Sequence, residues 1–277
     1  MPLDRLRPLL AAAVIALIGT APLAAQTAPK RVDSGVDRPA SAIFIGNSFF
    51  YYNNSLHNHV ERLLHSADPG YKLRATSVTI SGSGESWHDV DSYFHPGRLG
   101  SYSFDRNNNV VFNKLDNDHL FDLAIMMDCS QCPIHPQLQA EFFDSSRKHS
   151  ETVRRHNAKP VLFMSWAYAD RPEMTEQLAA AYTKAGNDND ALVIPAGLAF
   201  ARAHQQRPTL ILHAEDKRHP SIAGTYLAAC TVYAALFTKS PEGLSYAAGL
   251  DPDTAKFLQT IAWQTVQDYY GGTTASR

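Results

Sequence analysis

Cysteine is scarce in this chain: three among 277 residues, too few for a scaffold built on disulfides. No Gly-x-Ser-x-Gly pentapeptide occurs, which excludes the nucleophile elbow of the α/β-hydrolases. The apolar stretch "LLAAAVIALI" near the amino terminus is too short to span a bilayer comfortably, and no later run is long enough. Charge of either sign is unconcentrated. Lys and Arg number 25 against 27 Asp and Glu. No basic stripe calls for nucleic acid, and no acidic block calls for disorder. Internal repeats are absent as well.

What is present begins with a leader. Arg5 and Arg7 precede the apolar "LLAAAVIALI", and "APLAAQTAPK" follows with small residues and a cleavage point after Ala25. Residues 1–25 therefore read as a secretory signal peptide, with an uncleaved anchor as the alternative. Export to the periplasm or the exterior follows, with no stable membrane insertion once the signal is removed. Residues 26–40 read as a tether. Residues 41–277 then have the length of a single α/β domain. In an oxidising compartment Cys129 and Cys132, spaced C-x-x-C, could form a disulfide. A thioredoxin-like role is disfavoured by their mid-chain position. A metal site with His135 has only three candidate ligands. A structural or incidental role remains for the pair, and Cys230 reads as a small core residue.

Strand-like and helix-like periods alternate along the chain. "SAIFIG" is a strand. "NSLHNHVERLLHSA" places Leu56, Val60, Leu63 and Leu64 on one helical face. "YKLRATSVTISG", the nearly all-apolar "LFDLAIMMD", "PVLFMSW" and "ALVIPAG" supply four further strands. Helices fall between and after them, ending with "PSIAGTYLAACTVYAALF" and "DPDTAKFLQTIAWQTVQDYY", while "TLILH" is short and extended. Residues 83–119 read as loop. This alternation predicts a three-layer, flavodoxin-like α/β fold on a parallel five-stranded sheet. In such sheets ligands sit beyond the carboxyl ends of the strands. Ser48, Gly82, Gly84, the Asp128–Cys132 stretch, Trp166 and Tyr168 all follow strands, and Asp216 and His219 lie in a loop before a late helix.

"AIFIGNSFFYYNN" delivers Ser48 from the end of a buried strand onto a sharp break. A serine hydroxyl needs a base to become a nucleophile. Histidine titrates near neutrality, and a carboxylate orients the imidazole. "DKRHPS" supplies both, Asp216 and His219, three residues apart. Taken singly, Asn47 and Ser48 are equally well read as helix caps, and "DKRHPS" as a solvated turn. The catalytic reading gains from their occurrence at the two ends of one α/β pattern. Trp87, His88, Trp166 and Tyr168 could line a pocket, although core packing is the commoner fate of tryptophan. His57 and His59 suggest no metal site, because alternate residues of a helix do not share a face.

These blocks resemble the SGNH (GDSL-type) hydrolases. "FIGNSFF" is similar to the first block, with Asn47 where many members carry aspartate. "DKRHPSIAGTYLAA" is similar to the last, Asp-x-x-His followed by Pro-Ser. The likeness spans nearly all of the chain after the leader and points to an uncharacterised secreted bacterial branch. It implies Ser48 as nucleophile, His219 as general base and Asp216 as its partner. "SGSGES" resembles the glycine block, which implies the Ser48 and Gly84 amides as oxyanion donors, with Gly82 as a rival to Gly84. The third block departs from the family. Its usual Gly-x-Asn-Asp is replaced by "CSQC", and an ungapped match puts Gln131 at the asparagine position, where its amide offers the same donor on a longer stem. The implied activity is ester hydrolysis through an acyl-enzyme, without metal or organic cofactor, on a small-molecule or glycan ester such as an acetylated carbohydrate. Alternatives are a lipase- or thioesterase-type acyl hydrolase, a non-catalytic binding module on the same fold, and a thiol protein built on Cys129 and Cys132.

Overall fold

The computed structural model describes residues 27–99, 101–105, 107–113 and 119–271; the expected signal peptide lies outside them. Five strands form one all-parallel sheet: β1 (Ser41–Gly46), β2 (Arg74–Thr79), β5 (Leu123–Met126), β6 (Lys159–Phe163) and β7 (Leu192–Ile194), ordered β2-β1-β5-β6-β7. This is the flavodoxin-like order expected from the alternating periods, and it puts β1 and β5 side by side at the switch point. β1 and β5 are buried at every position, because helices cover both faces of a parallel sheet. Edge strand β2 is only half-buried, and its sequence is correspondingly mixed.

The helices are α1 (Ser48–Tyr51), α2 (Leu56–Ala67), α3 (Val90–Tyr93), α4 (Gln139–Arg155), α5 (Met174–Asp188), α6 (Ala196–Gln206), α7 (Ile222–Phe237) and α8 (Pro252–Tyr269). Leu56, Val60, Leu63 and Leu64 bury one face of α2 as their spacing predicts. α7 differs: all but Ile222 of its residues are buried. It packs against α2, α6 and α8. A helix wrapped on all sides needs an apolar circumference rather than a stripe, and "IAGTYLAACTVYAALF" has one. Cys230 is buried there.

Two expectations change. The stretch 83–119 is not all loop: β3 (Ser101–Phe104) and β4 (Val110–Asn113) form an antiparallel two-stranded sheet, whose four-residue strands are too short to show a period. "ALVIPAG" and "LFDLAIMMD" are strand only at their centres, since strands that run under helices stop where the chain turns to enter the next loop. The short "TLILH" stays outside the sheet, as expected, and His213 makes a single antiparallel bridge to Pro220. The segment read as a tether is pinned to the domain over its described part. The Lys30 amide donates to Asn187 Oδ1 (2.7 Å), the Asn187 amide donates to the Ala28 carbonyl (3.0 Å), and Arg31 pairs with Asp190.

Candidate functional site

The site forms where β1 ends. Asn47 caps α1, its side-chain oxygen accepting from the Phe49 amide (3.2 Å). Ser48 is thus the first residue of a helix, where the amide has no intrahelical partner, and it is 8% exposed. The Asn47 carboxamide nitrogen donates to the carbonyls of Ser83 (2.9 Å) and Asp128 (3.2 Å). One side chain therefore ties the ends of β1 and β5 to the glycine turn. An aspartate there, in its usual ionised form, has no proton to donate to either carbonyl.

The four aromatics after Ser48 go to four different places. Phe50 enters the core edge-on to Phe44 and Phe163. Phe49 stacks on Trp166 (4.6 Å between centroids), which stacks in turn on Phe200 (4.2 Å). Tyr51 stays at the surface, bonded to Ser81 (3.0 Å). Tyr52 lies flat on the His219 imidazole, with centroids 4.1 Å apart and planes 6° from parallel, while Phe49 meets the same ring edge-on.

His219 arrives from the other end of the chain. The Ala214 amide donates to the His219 carbonyl (2.7 Å), and Lys217 takes a positive φ of 64°. Together with the His213–Pro220 bridge this closes a tight hairpin over residues 213–220. Asp216 Oδ1 accepts from the amides of Arg218 (2.9 Å) and His219 (3.0 Å), and its Oδ2 bonds His219 Nδ1. That bond holds the Asp216 carboxyl down at about 2. His219 Nε2 lies 2.8 Å from Ser48 Oγ. Ser221 caps α7 at the Gly224 amide. A Cβ at Gly224 would overlap the Leu212 carbonyl, so glycine lets the helix approach that closely. Asn53 locks the two chain ends together, donating to the Pro220 carbonyl and to Thr225 Oγ1 (both 2.8 Å). The Asn53 carbonyl in turn accepts from His59 Nε2 (2.7 Å). His59 Nδ1 then accepts from the Tyr246 hydroxyl (2.8 Å), and burial lowers its pKa.

Behind the serine lies a buried acidic pair. Asp128 Oδ1 accepts from the amides of Cys129 (2.6 Å) and Glu85 (3.0 Å). A Cβ on Gly84 would come within 2.7 Å of that same oxygen, so the close approach requires glycine at 84. Burial pushes the Asp128 carboxyl up to about 6. Glu85 is buried and its carboxyl is raised well above the usual range, by burial and by the neighbouring Asp128 charge; Ser146 donates to its Oε2 (2.9 Å). Cys129 and Cys132 are joined in a disulfide, the pairing an oxidising compartment allows. Gln131 lies inside that four-residue loop, half-buried.

Ser48, Asp216 and His219 thus come together, and Gly84 sits on the neighbouring turn. Trp87 is at the surface, 64% exposed. Two of the expected pocket-lining residues are structural. Trp166 is 0% exposed, with Nε1 donating to the Arg218 carbonyl (3.0 Å); it braces the histidine loop from beneath. His88 is buried, its Nε2 donating to the Gly46 carbonyl (3.1 Å) and its Nδ1 accepting from the Tyr93 hydroxyl (3.1 Å). Burial lowers its pKa to about 4, so it supports the glycine turn as a neutral group. Sequence reasoning offered Asn47 as a cap, which it is, but missed its ties to Ser83 and Asp128, and it passed over Tyr52, Asn53 and Glu85, whose roles depend on partners far along the chain. For Tyr52 a signal existed, an aromatic four residues after the serine.

No protein-family profile matches this chain, and no curated protein matches it. Solved structures do. A DUF4886 family protein from Bacteroides uniformis aligns over 84% of this chain and 95% of its own, with 20% identity and a TM-score of 0.60. Axe2, an acetylxylan esterase from Geobacillus stearothermophilus, aligns over 78% and 97%, with 14% identity and a TM-score of 0.52. An SGNH-type protein from Slackia heliotrinireducens aligns over 70% and 97%, with 22% identity and a TM-score of 0.50. The shared feature at these identities is the chain path, and by that path this protein has the α/β fold of the SGNH hydrolases.

Proposed function

We propose that this protein is a serine ester hydrolase that works through an acyl-enzyme. The observation that carries the reading is the 2.8 Å separation of Ser48 Oγ and His219 Nε2, with Asp216 on the far nitrogen of the same ring. Ionised Asp216 takes the Nδ1 proton as its hydrogen-bond donor, which leaves Nε2 free to accept the Ser48 proton. Ser48 then attacks the ester carbonyl. His219 passes the proton to the leaving alcohol, and water reverses the sequence to release the acid. The Ser48 and Gly84 amides are the oxyanion donors, with the Gln131 carboxamide as a third; each such donor contributes about 3 kcal/mol to the transition state. Neither a metal nor an organic cofactor is required by this chemistry.

The substrate we propose is a short-chain ester on a carbohydrate. Support comes from the exposed indole of Trp87, suited to stacking on a sugar ring, and from the acetylxylan esterase among the similar folds. Export, read from the leader, agrees with a polymeric substrate outside the cytoplasm.

The purified protein should hydrolyse p-nitrophenyl acetate, and Ser48→Ala should lower kcat by at least about 10⁴-fold. A fluorophosphonate probe should label Ser48. Unchanged turnover in Ser48→Ala rejects the assignment, and folded protein that neither turns over nor labels favours a binding module on the same fold. Release of acetate from acetylated glycans, in preference to long-chain esters, tests the substrate class.

A further inference from the structure

Away from Ser48, three metal-ligating side chains meet where the segment after the glycine turn touches the end of α4. Asp91 lies in α3, His95 follows it by four residues, and His156 is the C-cap of α4. His95 Nε2 is 3.3 Å from Asp91 Oδ2, and His156 Nε2 is 2.9 Å from Asp91 Oδ1. One ligating atom from each residue lies within 4.8 Å of the other two. Two ligands on a tetrahedral zinc ion, bound at 2.0–2.1 Å, stand about 3.3 Å apart. His95 meets one oxygen of the Asp91 carboxylate and His156 the other, each near that spacing, and the two rings draw inward from within 4.8 Å to share one ion.

The three side chains are held from behind. The His156 ring stacks on Phe94, centroids 5.0 Å apart and planes 16° from parallel, and Phe94 is buried edge-on to Phe121. The turn that carries Asp91 and His95 is fixed by Asp89, which caps α3, and by the bond from the His95 amide to the Ser92 carbonyl (3.2 Å). Two backbone segments some sixty residues apart in sequence thus present ligands to one point on the surface. A counter-charge is close: an Arg155 nitrogen lies 3.8 Å from Asp91 Oδ1. That side chain is exposed, and its flexible stem can carry the guanidinium into solvent when a cation arrives.

We propose that Asp91, His95 and His156 form a binding site for one divalent transition-metal ion of the zinc type, with the fourth position open to water. Imidazole nitrogens select such ions over magnesium and calcium, which take oxygen ligands. The site is separate from Ser48 and His219. Its effect is to cross-link α3 to the end of α4 and so to clamp the segment that follows Trp87 and His88.

The test uses the tag-free protein, titrated with zinc chloride in competition with a chromophoric chelator, alongside thermal unfolding. One saturable equivalent is expected, with Tm rising by roughly 5 °C or more at a hundredfold excess over Kd. His95→Ala and His156→Ala should each weaken binding by about tenfold or more and abolish the shift, while unfolding like the parent protein without metal. Arg155→Ala should tighten binding, and magnesium or calcium chloride should leave Tm unmoved. Absence of a saturable equivalent overturns the site. So does zinc binding that survives both histidine substitutions, which would assign the ion to another of the protein's histidines.

Discussion

Two aspartates flank the serine, and the fold treats them in opposite ways. Asp216 lies on an exposed hairpin, grips His219 and is held ionised, at about 2. Asp128 ends a buried strand, accepts two backbone amides and is pushed up to about 6. Water makes the difference. The outer carboxylate keeps its hydration and gains a donor, so its charge costs little. The inner one has lost its hydration, and two amide bonds do not replace it. The same side chain thus serves as an electrostatic partner at the rim and as a backbone clamp beneath it. The lesson is that clamping a backbone turn and orienting an imidazole call for different solvation of one functional group.

The largest expected effect breaks the outer member. Asp216→Asn keeps the shape but offers Nδ1 a group that can hold the imidazole in the wrong tautomer. If the proposed triad operates, kcat should fall on the order of 10³- to 10⁴-fold with KM little changed, read from p-nitrophenyl acetate kinetics. A loss below tenfold would mean that the exposed charge is dispensable and that the contrast has no functional content.

Next in size is the inner member. A carboxyl whose pKa is higher folded than unfolded binds its proton more tightly when folded. Stability is then full below the unfolded value near 4 and declines as pH rises through about 6. Asp128→Asn retains an oxygen acceptor for the Cys129 and Glu85 amides without the charge. Urea unfolding should show the wild type losing stability between pH 4 and 6 while the variant stays flatter. Above pH 6 the variant should be the more stable by about 3 kcal/mol. A variant less stable than wild type at pH 7 would show that the buried charge is needed.

Removing the disulfide should cost less. Its loop is so short that the chain-entropy contribution is about 2 kcal/mol. A Cys129→Ser, Cys132→Ser double variant should shift the urea midpoint modestly and leave the Asp216 side of the site intact. A kcat fall as large as that of Asp216→Asn would make the loop part of the chemistry. The smallest effect should come from Tyr52. Its stack on His219 is worth about 1 kcal/mol, so Tyr52→Ala should lower kcat by up to roughly tenfold with KM little changed, and Tyr52→Phe should restore it.

Much of this molecule was legible in one dimension. The apolar runs Ala42–Phe44–Ile45 and Leu123–Met126 announced buried strands because burial on both faces demands unbroken apolarity. Ser48, Asp216 and His219 stood out because their residue types and flanking turns are short-range signals. The hairpin between residues 101 and 113 did not, since four-residue strands carry almost no period. The burial of Trp166 and His88 was hidden for a related reason: an aromatic ring in or beside a loop is equally suited to a pocket or to a core, and only its neighbours decide.

Composition and periodicity by themselves determined the layer architecture and the parallel sheet, and singled out Ser48, Asp216 and His219 as candidates, because each of these follows from local patterns of burial and turn chemistry. Tertiary structure alone decided that Asn47 would tie three loops together, that Tyr52 would lie on the imidazole, and that one aspartate would be charged and the other driven toward neutrality. Those outcomes depend on distances between residues remote in sequence and on how much water each group keeps, and both are properties of the folded surface.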